Sequence, residues 1–307
     1  MSKMHIERSI NISAPSQNIY KVISDFNDWQ PWSPWLLMEP GVKVTVAEDS
    51  KSYKWEGNRT GSGNMKIIEE RENEFINYDL NFLKPWKSTA KTNFKLSEEG
   101  DATKVTWTMD SSLPFFMFFM KGMMEAYVGA DYERGLDMLK AYVEEGVVPS
   151  KLEFEGTKDF GGGSWLGIKT DCSIDDIGPI MEADFAKISA FIEEKDLTDD
   201  LQIATIYHKW DIPKNKVSYS AILIAKEIPE GLPKNFVKGS IPPTKCYVLK
   251  HVGKYQHLGN AWSTLYTMMR NKEIKHNKKV DPFELYVNDP QQTAENELIT
   301  DLYFPVK

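Results

Sequence analysis

Two periods alternate along the chain. Over residues 5–12, Ile6, Ile10 and Ile12 recur against polar neighbours at the two-residue spacing of a strand with one buried face. Ser13-Ala14-Pro15 then opens a helix, since a proline in the first turn lacks only an N–H that would go unpaired there. Ile19, Tyr20, Val22 and Ile23 mark its inward side, and it ends near Asp25 in the aromatic, proline-rich loop Trp29-Gln30-Pro31-Trp32-Ser33-Pro34-Trp35. Strand-like segments follow at 42–47, 52–55, 63–70, 74–82, 88–96 and 103–110, with Glu98-Glu99-Gly100-Asp101 as a hairpin turn. The period then lengthens. Phe116, Phe119, Met120, Met123, Tyr127, Ala130, Leu136, Leu139 and Val143 predict a helix over 115–145. Gly122, Gly129 and Gly135 each weaken it by up to ~1 kcal/mol relative to alanine, so tertiary packing must hold it.

Val147-Val148-Pro149-Ser150 reads as a joint, and the pattern after it starts afresh. A strand opens at 151–155, and Gly161-Gly162-Gly163 marks a turn rather than a phosphate loop, because no Gly-Lys-Ser/Thr follows. A helix over 175–194 (Ile177, Ile180, Met181, Phe185, Ile188, Ile192) leads to strands at 201–207 and 217–225. From Thr244 the order repeats: strand 246–251, helix 258–271, strands 283–287 and 298–304. The expectation is an α+β protein of two domains, 1–147 and 151–307. In the first, a curved antiparallel sheet is closed by a long helix; in the second, a strand-helix-strand-strand unit is used twice.

Composition narrows the function. The chain has 307 residues, 41% of them hydrophobic, and a net charge of −8. Residues 1–150 carry 17 basic and 22 acidic side chains and residues 151–307 carry 20 and 23, so neither half has the basic footprint of a direct nucleic-acid binder. The longest apolar run, residues 113–120, is far short of the ~20 residues needed to span a bilayer, so no membrane partner is expected. Cys172 and Cys246 have no metal-ligand spacing and no leader sequence precedes them, which predicts two reduced thiols in a cytoplasmic protein. The five histidines make no zinc pattern, and neither a nucleophile elbow nor a nucleotide loop is present. No metal or cofactor is expected.

Within the last strands, Phe283, Leu285 and Val287 face one way and Glu284 and Tyr286 the other. A carboxylate and a phenol side by side on a sheet face either sit in water or line a pocket, and a carboxylate lining one needs a partner, because leaving it unpaired costs several kcal/mol. A ligand cation or hydrogen-bond donor would supply one.

These motifs carry two resemblances. The segment I-x-A-P-x-x-x-I-Y-x-V-I-x-D-F-x-x-W with W-S-P-W (residues 12–35), with Tyr53-Lys54-Trp55-Glu56-Gly57-Asn58 and Gly61-x-Gly63-x-Met65, resembles the START-like (SRPBCC) superfamily, in the branch named for polyketide cyclases and dehydrases. That resemblance implies a helix-grip fold enclosing an apolar cavity, for which Tyr53, Trp55, Tyr78, Phe82, Trp107, Met120, Met123 and Met124 are candidate lining. His251-Val252-Gly253-Lys254-Tyr255, a helix with Trp262, the stretch P-x-E-x-Y-x-N-x-P from Pro282, and L-x-T-x-x-x-x-P-V from Leu298 resemble the effector-binding domain of the GyrI-like family.

The second resemblance implies a ligand cleft between the two repeats, with Glu284 as the pocket carboxylate. Tyr255, Trp262, Tyr266 and Tyr286 would form an aromatic wall, and aromatic faces attract cations by ~0.5–2 kcal/mol each. Tyr219 falls where many relatives have Arg-Tyr-Asp, but Ser218 and Ser220 flank it here. Many such domains sit behind a DNA-binding helix-turn-helix; a START-like domain takes that place in this chain. The reading is a protein that senses or sequesters small hydrophobic or cationic ligands. A hydrolase of a small reactive compound, using Glu284 and a pocket tyrosine, is the alternative, and a protein partner stays open.

Overall fold

The computed structural model describes residues 2–113, 115–197 and 201–307. The chain divides into two compact units, Met1–Pro149 and Ser150–Lys307, each with its own sheet.

In the first unit, β1 (Ser2–Ile12) is followed by α1 (Ser16–Ser24), a short α2 (Pro34–Leu37), and then six strands: β2 (Lys43–Val46), β3 (Ser52–Glu56), β4 (Ser62–Arg71), β5 (Phe75–Lys84), β6 (Ser88–Glu99) and β7 (Ala102–Leu113). The strands make one antiparallel sheet in the order β1-β7-β6-β5-β4-β3-β2, so every neighbour except β1 is a hairpin partner. Helix α3 (Lys121–Glu145) ends on Gly146, whose left-handed φ of 76° suits a residue without Cβ and whose N–H closes onto the carbonyl of Tyr142. The expected helix from 115 begins instead as a 3₁₀ stretch over Phe115–Met120, a run with no polar period to give an α-helix an outer face.

The buried core lies between sheet, α1 and α3 and is rich in rings: Phe26, Trp29, Trp32, Tyr78, Phe94, Trp107 and Tyr132. Trp107 is stacked between Phe94, 4.7 Å away, and Tyr132, 4.0 Å away. Two of the three helix glycines have packing reasons; a Cβ on Gly122 would meet open space. A Cβ on Gly135 would lie 2.7 Å from the Trp107 ring, and one on Gly129 would lie 2.2 Å from the guanidinium of Arg8.

The second unit runs β8 (Ser150–Phe160), β9 (Gly163–Cys172), α4 (Ile177–Glu194), β10 (Gln202–Asp211), β11 (Lys216–Ala225), β12 (Val237–Ile241), β13 (Thr244–Gly253), α5 (Leu258–Arg270), β14 (Phe283–Tyr286) and β15 (Ile299–Pro305). Its eight strands are ordered β12-β9-β11-β10-β14-β15-β13-β8. The inner six are the two repeats, β9-α4-β10-β11 and β13-α5-β14-β15, joined through their second strands β10 and β14. Each repeat also has a leading strand, β8 or β12, and the two are exchanged: β8 pairs with β13 and β12 pairs with β9.

One face of this sheet, with Leu166, Ile168, Val217, Tyr219, Ala221 and Leu223, packs on Ile188 and Phe191 of α4. The other buries Ala204, Ile206, Ile222, Ile224, Cys246, Val248, Phe283 and Leu285. Cys172 and Cys246 are both free thiols.

Candidate functional site

The pairing of β10 with β14 builds the site. Thr205 is opposite Glu284, and alternation puts Thr205, Tyr207, Glu284 and Tyr286 on one face at the centre of the sheet. Both helices border this group. Tyr286 meets Phe185 of α4 edge-on at 5.5 Å, and Tyr207 meets Trp262 of α5 at 5.3 Å. The site therefore lies between the two repeats.

Glu284 is the floor, 1% exposed. One carboxyl oxygen accepts the phenol O–H of Tyr207. The other, Oε2, is buried and has no partner in hydrogen-bond geometry, as is true of the indole N–H of Trp262, which nevertheless lies close enough to favour the ionised carboxylate weakly. Burial pushes Glu284 up to about 7, against weaker opposing pulls from Tyr207 and Trp262. The same burial, with the neighbouring carboxylate, drives Tyr207 well above the usual phenol range and Tyr255 up to about 12, so both remain protonated donors near neutral pH.

Around the floor the walls are aromatic and only partly buried. The ring of Tyr255 meets that of Tyr286 at 5.5 Å, and Tyr207 also meets Trp210, which is 39% exposed. The Tyr286 hydroxyl bonds Thr205 at 2.9 Å and lies 3.7 Å from the sulfur of Met181. The arrangement is a neutral-to-anionic floor inside a ring of π faces. Chemically it suits a flat or amphipathic cation, which would satisfy the lone carboxylate oxygen and stack on the walls.

The remaining candidates are placed as follows. Tyr266 packs beside Trp262 and edge-on against Phe304 along α5. Tyr219 is opposite Tyr207 in the β10–β11 register, but its hydroxyl is spent on Asp184, which also accepts Thr170 and pairs with Lys187. It props α4 against the sheet behind the site.

In the first unit, Trp107, Tyr78 and Trp55 are buried, and their polar atoms bond Thr92, the Ile23 carbonyl and the Thr60 carbonyl. Met123 is 41% exposed; Met124, about 100° further round the helix, is the one that packs against the core. Of the expected lining residues, Tyr53 does line a cleft, of about 150 Å³, with Phe26, Asn27, Trp29, Leu36 and Val44, and a second cleft of about 350 Å³ lies by Phe75, Asn77, Asn93 and Leu96.

Tyr207 and Thr205 were not among the residues singled out from sequence, and Phe185 and Met181 were named only as apolar positions of a helix. Their signal is the two-residue spacing of Thr205 and Tyr207, which acquires meaning only once β10 is known to pair with β14. On the opposite face His208 joins Asp281 (2.7 Å) and Ser220 (2.8 Å), the residue types of a hydrolase triad. Ser220 is fully buried, so this chain of bonds ties the segment before β14 to the sheet rather than presenting a nucleophile. Among the described residues no group of three or more His, Cys, Asp or Glu side chains could hold a metal ion, and no helix is long and apolar enough to cross a membrane.

Fold and site define a chain of two small-molecule-binding modules, one helix-grip and one a duplicated α+β unit. Residues 3–144 match the family model described as "Polyketide cyclase / dehydrase and lipid transport", and residues 165–307 match the "GyrI-like small molecule binding domain". The chain thus joins a START-like domain to a GyrI-like domain. No curated protein matches it. Similar solved structures include a START superfamily protein from Mycobacterium smegmatis (17% identity, 46% of this chain and 97% of that one, TM-score 0.34). The Aha1 dimer from Colwellia psychrerythraea is also similar (19% identity, 47% and 98%, TM-score 0.36). A third is EcmrR in a complex with DNA (15% identity, 61% and 65%, TM-score 0.41).

Proposed function

We propose that the GyrI-like half binds an aromatic or amphipathic cation whose charge pairs with Glu284, and that the protein senses or sequesters such compounds. One observation carries this reading: a fully buried carboxylate whose second oxygen has no partner in hydrogen-bond geometry, set among partly buried aromatic rings. An unpaired buried polar group is costly, and a positive charge is the partner that recovers most of that cost. The tyrosine and tryptophan faces add ~0.5–2 kcal/mol each toward a cation and little toward an anion. Because Glu284 holds its proton up to about pH 7, a cation that needs the ionised form expels that proton on binding.

For the first domain the proposed ligand place is the cleft beside Trp29 and Tyr53. That cleft, about 150 Å³, is smaller than the ~300 Å³ at which ligand pockets usually begin.

The test is a thermal-shift panel of aromatic cations, neutral apolar compounds and anions on wild type and Glu284→Gln. A ligand at a hundred times its Kd stabilises the native state by about 2.7 kcal/mol, enough to be plain in a melt. Cations are expected to raise the melting temperature of wild type alone, with the added compound recovered unchanged. Equal shifts in both proteins would remove Glu284 from the binding site, and conversion of the compound by wild type but not the variant would replace binding by catalysis.

A further inference from the structure

Large apolar side chains lie on the surface where the chain passes from β7 to α3. Phe118 and Phe119 on the 3₁₀ stretch before α3 are 60% and 72% exposed, and Leu83 at the end of β5 and Trp86 in the turn after it are 48% and 60% exposed. Strand registry places these together. Phe82 pairs with Ser88, leaving 83–87 as the tip of the hairpin, and Ala90 pairs with Ser111. The chain therefore leaves β7 beside that tip. Met123 and Tyr127, one helical turn apart and 41% and 39% exposed, extend the strip along the start of α3.

Charge around this end runs against the rest of the unit. Lys3, opposite Ser112, with Lys84, Lys87 and Lys121, border it, against Glu56, Asp110 and Glu125, whereas residues 1–150 as a whole are acidic. The pairs Lys84–Glu56 (3.8 Å) and Lys121–Glu125 (3.6 Å) are long and on the surface, where such pairs hold little. Lys87 is exposed beside Trp86.

We propose that this end of the START-like domain docks reversibly on an anionic lipid surface. Trp86, Leu83 and Phe119 enter the boundary between headgroups and acyl chains, and the lysines contact lipid phosphates. Tryptophan with its neighbouring lysine is the pairing that settles at such a boundary, apolar ring in and charge out. Two projecting tips, a hairpin and a helix start, also suit a deformable surface better than a rigid partner with a matching face. The short apolar run excludes a membrane span; it leaves a surface attachment open. This inference is independent of the Glu284 site.

The test is co-sedimentation of the full chain with vesicles of pure phosphatidylcholine and with an equal mixture of phosphatidylcholine and phosphatidylglycerol, at low and high salt. Wild type is expected to pellet with the mixed vesicles, less with the neutral ones, and less at high salt. Trp86→Glu with Phe119→Glu should lower the bound fraction at least about tenfold, while Lys87→Glu should weaken binding to the mixed vesicles alone. All three side chains are exposed, so an unchanged melting curve checks that the variants fold. Three results would each overturn the proposal: no pelleting with either vesicle, pelleting that the double variant retains, or a concentration-dependent dimer of the free protein that the double variant abolishes. The last would make this end an interface between copies.

Discussion

Replacing Glu284 by Gln keeps the shape of the side chain and an acceptor for the Tyr207 phenol while removing the charge. In the folded protein the Glu284 carboxyl titrates at about 7, raised from 4.5 by burial. Between those values the folded carboxyl keeps its proton while the unfolded one has lost it. The stability this group contributes is therefore complete below 4.5 and is lost as pH rises through about 7. At about 1.4 kcal/mol per pH unit, that interval amounts to about 3 kcal/mol. Gln does not titrate and escapes the loss. Denaturant unfolding of both proteins at about pH 5 and about pH 8 should show the variant gaining about 2.5 kcal/mol on wild type as pH rises. Other carboxyls titrate alike in the two proteins, and the second compact unit unfolds in both, so only the difference is read. A difference that stays flat across that range would mean that Glu284 is solvated or already paired, and the reasoning would fail.

Three further changes test the account elsewhere. Tyr207→Phe removes a hydrogen bond that favours the ionised carboxylate, so the pH midpoint of cation binding, followed by calorimetric titration, should move to the alkaline side of wild type; an unmoved midpoint would show that the bond contributes nothing. Glu39 accepts the backbone N–H groups of Asn58, Arg59 and Thr60, so Glu39→Ala strands three donors in the β3–β4 turn and should cost about 2 kcal/mol in denaturant unfolding. Trp107→Ala empties the stack between Phe94 and Tyr132 and should cost about 3–5 kcal/mol, seen as an early melting of the first unit by circular dichroism.

The order of elements was legible because both periods are strong. The strand alternation of the first unit and the second appearance of strand-helix-strand-strand from Thr244 needed no tertiary information. The leading strand β12 was not legible. Val237-Lys238-Gly239-Ser240-Ile241 is short, interrupted by glycine and followed by Pro242-Pro243, and it becomes a strand only because β9 offers it an edge.

The site was legible to the same depth. Alternation alone put Glu284 and Tyr286 on one face, but Tyr207 joins them through a pairing 77 residues away in sequence. The aromatic residues of the first unit show the converse difficulty. Trp55, Tyr78 and Trp107 are of types that cores and pockets share, and only their filled hydrogen bonds and stacked neighbours show how tightly they are packed.

The central claim is that Glu284 is a buried, largely unpaired carboxyl that a ligand cation ionises. The most direct measurement is calorimetric titration of wild type with an aromatic cation in buffers of different ionisation enthalpy, which counts the protons released. Binding should release about half a proton at pH 7, fewer as pH rises and more as it falls, and Glu284→Gln should release none and bind more weakly. Binding of equal strength in both proteins with no proton released would contradict the account.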